Sequence, residues 1–230
     1  MNTIEQKPIG EIVAEDYRTA FIFKNFGIEY CCGGKKSLAQ ACASRSVDLE
    51  EVLKQIESAT QHRPEENRFN EWSASFLIDY IINNHHVYVK EKLPFLMFLA
   101  GKVARVHGYE HPELIKMNRL VQELNSEMMN HMSKEEGSSF PLIKKLETNG
   151  KIEEKNDLLI AELEDEHEAA GAIMEELRSL SNQFQFPEGA CSSYQIYFKT
   201  LNEFEEDLHK HVHLENNVLF TKVEQLLQAE

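Results

Sequence analysis

Four long segments of this chain carry apolar residues at helical spacing, and each of those stripes holds a histidine. One stripe runs Met117, Leu120, Leu124, Met128, His131 and Glu135. A second, in "LLIAELEDEHEAAGAIM", joins Leu159, Ile160, Leu163, His167, Ala170, Gly171 and Met174. A third, near the end of the chain, takes in Leu201, Phe204, Leu208, His211, Leu214, Glu215, Val218 and Leu219 in the i, i+3, i+4, i+7 pattern. The stripes demand long helices packed face to face. The histidines demand partners, because a buried polar ring without one is costly.

In the fourth segment, "FLIDYIINNHHVYVKEKL", two histidines compete. His86 follows Ile78 and Ile82 and precedes Val89 and Leu93, whereas His85 shares a face with Leu77, Ile81 and Val89. Periodicity leaves both open. The stretch "HKHVHLENN" sets histidines at alternate positions, which is also a strand pattern. The helical template accounts for far more of its neighbours. On a helix, residues two apart point about 200° from each other, so His211 faces inward. His209 and His213, with Glu205 and Asn217 as polar neighbours at helical spacing, are then expected at the surface.

Breakers are sparse, with 10 glycines and 6 prolines in 230 residues. The expected fold is all-α: a four-helix bundle over residues 72–230, after a small helical domain (1–59) and a polar linker, "TQHRPEENRFNE" (60–71). Bundle helices are predicted at about 72–92, closing at "LP", then 95–107, then from "HPEL" to about Glu136, with Pro112 as first helical residue. "GSSFPLIKKLETNGK" reads as a turn, a short helix and a loop; further helices span about 154–182 and 190–227. In the small domain, "PIGEIVAEDYRTAFIFKNFG" reads as a helix that stops at Gly27, "IEYCCGGKK" as a turn, and "DLEEVLKQIESA" as a helix opened by Asp48 and Glu51 in a capping-box-like start. A unit of that size is marginal alone and is expected to dock or dimerise.

One inward histidine from each of four helices, with glutamate four residues after two of them, makes a di-metal set. Imidazole and carboxylate suit iron, with manganese or zinc as alternatives. Four histidines and two bridging carboxylates fill about eight of roughly twelve octahedral positions, leaving room for a small bridge and a diatomic ligand. His107 and His111 flank a loop and are expected at the surface or in a lid; His62 lies in the linker; Glu162 and Glu166 read as exposed helix carboxylates, with lining the access or supporting the ligand rings from behind as the alternative.

Cys31 and Cys32 sit in a glycine turn just before Lys35 and Lys36. Adjacent cysteines cannot close an unstrained disulfide with each other. Nearby cations and a helix N-terminus would lower a thiol pKa, so the pair is expected to be reactive. Cys42 and Cys191 read as ordinary helix-side residues.

The balance of 39 acidic against 24 basic residues, a formal charge of −15, argues against nucleic acid or an anionic membrane as partner. No basic start followed by an apolar run marks a signal peptide, and no stretch approaches the roughly 18 apolar residues of a membrane span. The cytoplasm is the expected location.

At this point the chain resembles the hemerythrin-like iron–sulfur cluster repair proteins, the repair-of-iron-centres family, over nearly its whole length. "FGIEYCCGGKKSL" is similar to that family's N-terminal domain; "HMSKEE", "EDEHEAAG" and "HVHLENNVLF" are similar to its hemerythrin-like motifs. The resemblance implies two non-haem irons with an oxo or hydroxo bridge, held by His86, His131, Glu135, His167, His211 and Glu215. It selects His86 over His85, and it matches the family's adjacent cysteines to Cys31 and Cys32. It implies repair of clusters damaged by nitric oxide or oxidants, through iron supply, nitric oxide handling or both. The implied partners are damaged iron–sulfur proteins, nitric oxide or oxygen, and a second copy in a homodimer. Thr221 stands where the family often has proline, and the residues between Glu136 and Phe140 also depart from its pattern. Rival readings are a nitric oxide reductase and an oxygen or nitric oxide carrier or sensor of hemerythrin type. The typical carrier has a fifth histidine ligand and lacks the cysteine unit. Ferritin-like oxidases carry Glu-x-x-His, where this chain has His-x-x-x-Glu.

Overall fold

The computed structural model describes residues 4–60, 69–152 and 158–228. Most of the expected linker, together with His62, lies outside the described residues. The fold is all-α, a four-helix bundle preceded by a small helical domain. Among the described residues the one β-type pairing is an isolated bridge between Pro8 and Ser37. No helix among them is long and apolar enough to cross a membrane.

The chain forms two compact units, residues 1–78 with 146–151 and 210–230, and residues 79–145 with 152–209. The first contains α1 (Ile9–Glu15), α2 (Arg18–Asn25), α3 (Leu38–Arg45) and α4 (Leu49–Thr60). The predicted single helix over α1 and α2 is broken at Asp16, whose backbone is extended (φ −149°, ψ 99°). Its carboxylate holds the break by accepting from the Arg18 backbone N–H at 3.1 Å and from Arg18 Nε at 2.9 Å. Gly27 does close α2, with φ 65°. α4 opens differently from the expected box. Asp48 accepts from the Glu50 N–H (3.0 Å), and Glu51 bonds Gln55 instead of reaching back. The reciprocal capping box is at Ser37 and Gln40, starting α3. Ile9, Phe23, Leu38 and Val52 are wholly buried and form this domain's core.

The long helices are interrupted by π-helical segments rather than by turns. α5 (Ala74–Ile81) passes through a π segment at Ile82–His86 into α6 (Val87–His107). Pro94 lies inside α6 and does not end it, contrary to the predicted stop at "LP". A proline in a helix costs about 3 kcal/mol, and burying Leu93 and Leu96 beside it returns about 1.5–3 kcal/mol each. α7 (Glu113–Lys134) runs through a second π segment, Glu135–Ser139, into α8 (Phe140–Asn149), so the turn predicted at "GSS" is helical. The buried side chains of Glu135 and Ser139 bracket it. After α9 (Ile160–Leu180), α10 (Ser192–Leu214) continues through a third π segment, Glu215–Leu219, into α11 (Phe220–Gln228). In the second unit α6 packs on α7 and α7 on α9, around Leu96, Met117, Leu124, Leu163, Leu177 and Phe204.

Candidate metal centre

In each π segment the backbone bond skips one residue further than in an α-helix. The Val87 N–H reaches the Ile82 carbonyl, Phe140 reaches Glu135, and Phe220 reaches Glu215. Each widened turn offsets the helix by one residue, a device common at functional sites. His86 ends the first segment, and Glu135 and Glu215 open the other two. The three re-phased turns therefore carry three of the six candidate ligands.

Within the second unit, four candidates come together. Glu135 Oε2 lies 3.3 Å from His86 Nε2 and 3.3 Å from His131 Nε2. His167 Nε2 lies 2.9 Å from His131 Nε2. The ligand atoms of His131, Glu135 and His167 are all within 4.8 Å of one another. All four residues are at most 2% exposed. In the first unit, His211 Nε2 lies 2.9 Å from Glu215 Oε1, one helical turn on, and both residues are wholly buried.

Protonation follows from the other ring nitrogens. His86 Nδ1 is 2.7 Å from Glu136 Oε1, and His131 Nδ1 is 2.9 Å from Glu166 Oε2. A carboxylate only accepts, so both Nδ1 atoms carry their protons, and in the neutral rings Nε2 presents a lone pair. Two such lone pairs face the Glu135 carboxylate oxygen, and a third imidazole nitrogen stands 2.9 Å from one of them. A cation among these buried atoms would be bonded by each of them, with the carboxylates behind the rings holding the rings in place. The donor set thus fits a metal ion of the kind imidazole and carboxylate prefer.

The carboxylates behind the rings are held in turn by lysines. Lys90 donates to Glu136 at 2.6 Å, and Lys134 donates to both Glu162 and Glu166. Partial burial pushes the Glu136 and Glu166 carboxyls up, but hydrogen bonds from lysine and histidine outweigh it and leave both below the usual range. Glu166 therefore takes the alternative reading, support behind a ring, rather than that of an exposed carboxylate, and Glu136 was not singled out at all. A signal was present: Lys90 follows His86 by four residues and Lys134 follows His131 by three, and each pair shares one acidic partner. His85 takes another direction, with Nδ1 2.9 Å from Asp207 Oδ1.

Residues 77–223 match the family model of the hemerythrin HHE cation binding domain. Residues 5–60 match one described as a domain of unknown function, DUF542. The iron–sulfur cluster repair protein ScdA of Staphylococcus haemolyticus is 34% identical over 214 residues, covering 93% of this chain and 96% of that one. The ScdA of a Staphylococcus epidermidis strain is 32% identical over 219 residues, 94% and 96% of the two chains. The iron–sulfur cluster repair protein YtfE of Escherichia coli O157:H7 is 32% identical over 220 residues, with the same two shares. This chain belongs to the hemerythrin-like iron–sulfur cluster repair family.

In this cluster repair family member the cysteine turn differs from its expected chemistry. Cys31 is buried and Cys32 half-buried, both as free thiols with sulfurs 3.9 Å apart. Cys31 Sγ contacts Glu29 Oε1 at 2.6 Å. The hydrogen bond with Cys32, burial and the Glu29 charge together push the Cys31 thiol well above its ordinary value. The expected lowering is thus reversed for Cys31. α3 begins only at Leu38 and is capped by Ser37, so its N-terminus is spent before it reaches the thiols.

His213 also departs from expectation. It is wholly buried in the first unit, with its ring 5.9 Å from that of Tyr17 and 5.7 Å from that of Tyr30. Burial pushes its imidazole down to about 3. His107 and His111 flank the Tyr194 ring at 5.6 and 5.9 Å, with His107 Nε2 3.2 Å from the exposed Cys191. Cys42 is buried.

Proposed function

We propose that this protein repairs iron–sulfur clusters damaged by nitric oxide or oxidants. We further propose that His86, His131, Glu135, His167, His211 and Glu215 would hold two irons. The observation that carries the reading is the convergence of His86 Nε2 and His131 Nε2 on one oxygen of the buried Glu135 carboxylate, each at 3.3 Å. Burial of His211 and Glu215, 2.9 Å apart, supports their share of the set. Bound iron, bridged by oxo or hydroxo, would supply redox chemistry and a seat for a diatomic ligand such as nitric oxide or oxygen. The protein's own residues do the rest. Glu136 and Glu166 fix the tautomer and tilt of His86 and His131, and burial keeps bulk water from the ligands. Cys31 and Cys32 are the proposed contact to the damaged cluster, and iron delivered to that cluster is cargo. Cytoplasmic action as a homodimer completes the reading; the net charge of −15 supports a role without nucleic acid or membrane.

The test measures metal per chain by elemental analysis, alongside recovery of a nitric oxide-damaged cluster enzyme. About two irons per chain and recovery are expected of the wild type, and loss of both from a His131→Ala, Glu135→Ala protein. Recovery at the wild-type rate by that variant overturns the reading.

A further inference from the structure

Asn217 occupies a position in the first unit that neither metal ligation nor core packing explains. It lies two residues after Glu215 in the same π segment, so the two side chains leave the helix on opposite sides. Its Nδ2 is 3.0 Å from the Cys31 carbonyl, 3.3 Å from the Tyr30 carbonyl and 3.2 Å from His213 Nδ1. Asn216 adds a longer contact, 3.5 Å, to the same Cys31 carbonyl. Three acceptors surround one amide nitrogen, which fixes the orientation of the amide and makes His213 Nδ1 an acceptor.

The amide oxygen lies against two glycines. A Cβ added to Gly10 or to Gly34 would stand 2.1 Å from Asn217 Oδ1, so a side chain at either position would have to displace Asn217. Gly10 and Gly34 are themselves joined, the Gly10 N–H donating to the Gly34 carbonyl at 2.9 Å. The second glycine of the Cys-Cys-Gly-Gly turn is thus small because Asn217 passes against it, and Asn217 grips the turn from both its carbonyl side and its glycine side.

We propose that Asn217 is a positioning residue, a latch that holds the Cys31–Cys32 turn on the helical segment bearing Glu215 and keeps the Cys31 thiol shielded. Access to that thiol then requires release of one amide. The purpose of the latch rests on the role proposed above for the cysteines; the latch itself does not depend on bound metal.

The test is the alkylation rate of each cysteine by iodoacetamide in the full-length protein, read by peptide mass spectrometry. Asn217→Asp keeps the side-chain shape but turns an acceptor toward three acceptors. It is expected to raise Cys31 alkylation about tenfold or more, the scale of losing one or two hydrogen bonds. Cys42, buried in the same unit, is expected to keep its wild-type rate. Asn217→Ala, which removes the donor without adding repulsion, is expected to show the same selective rise to a smaller degree. An unchanged Cys31 rate in both variants, or Cys42 rising in step with Cys31, overturns the latch. Iron content read on the same samples separates the two proposals: a wild type without iron but with a selective Cys31 response sinks the di-iron reading and leaves the latch standing.

Discussion

His131 Nδ1 lies 2.9 Å from an oxygen of Glu166, the residue immediately before His167 on α9. One turn of α9 thus offers a ring nitrogen to the candidate metal centre and a carboxylate to the back of another ring in it.

Removing that carboxylate is expected to free the His131 ring to turn and to change tautomer. Glu166→Ala is expected to weaken metal binding about 10- to 100-fold, measured by competition with a chromogenic chelator. A change under twofold would show that Glu166 does not orient the ligand.

Glu135→Gln separates function from stability. In the metal-free protein the Glu135 carboxylate stands 3.3 Å from two imidazole nitrogens, out of water. A neutral amide costs less than a carboxylate to keep out of water, so the metal-free variant is expected to melt above the metal-free wild type, by at least about 2 °C for roughly 1 kcal/mol. Metal per chain is expected to fall. Calorimetry after chelation, with elemental analysis, checks both signs.

Glu147 caps the start of α5. Its carboxylate accepts from the Ala74 and Ser75 N–H groups at 2.6 and 2.9 Å and from Ser75 Oγ at 2.5 Å. Burial raises its carboxyl, but the Ser75 and Ala74 hydrogen bonds outweigh it and leave the group below its reference value of 4.5. A depressed folded value means that the cap's contribution is fully present above about pH 4.5 and is lost as pH falls through the folded value. Glu147→Gln is expected to cost about 1 kcal/mol at pH 7, the usual worth of an N-cap. The difference from wild type should shrink as pH drops below 4.5, which urea titrations at several pH values will show.

Gly34→Ala adds a Cβ 2.1 Å from Asn217 Oδ1 and 2.8 Å from the Tyr30 carbonyl. The backbone oxygen cannot swing away as a side chain can. A loss of about 1–3 kcal/mol is expected, against little change for alanine at Gly137, whose Cβ would meet nothing within 4 Å. Thermal melts of the two variants side by side provide the check.

Much of the architecture could be read from periodicity, because a 3.6-residue stripe can be buried in only one way. The stripes of α7, α9 and α10 contain His131, His167 and His211, and all three are buried. Periodicity failed where the helix leaves its regular period. Between Ile82 and His86 the backbone is π-helical, which brings both His85 and His86 out of solvent, toward Asp207 and Glu135 respectively. The glycine and serines after Glu136 spoke for a turn, yet the second π segment carries them into α8. A one-residue offset leaves no mark in composition.

The sequence by itself determined the helical class, the long stripes and the polar residues that interrupt them. These follow from local periodicity and from the cost of burying imidazole and carboxylate alone. Tertiary structure decided what each polar group faces. His213 sits on what looked like a solvent face and is covered by Tyr17 and Tyr30. Cys31 follows the pattern of a low-pKa thiol, but its hydrogen bond with Cys32, burial and the Glu29 charge push its pKa up instead. Glu136 and Glu166 become partners of histidines that lie 50 and 35 residues away in the chain. Local sequence fixes how often a side chain returns to a face, whereas its ionisation and reactivity depend on groups from distant segments that only the folded chain brings within a few ångströms.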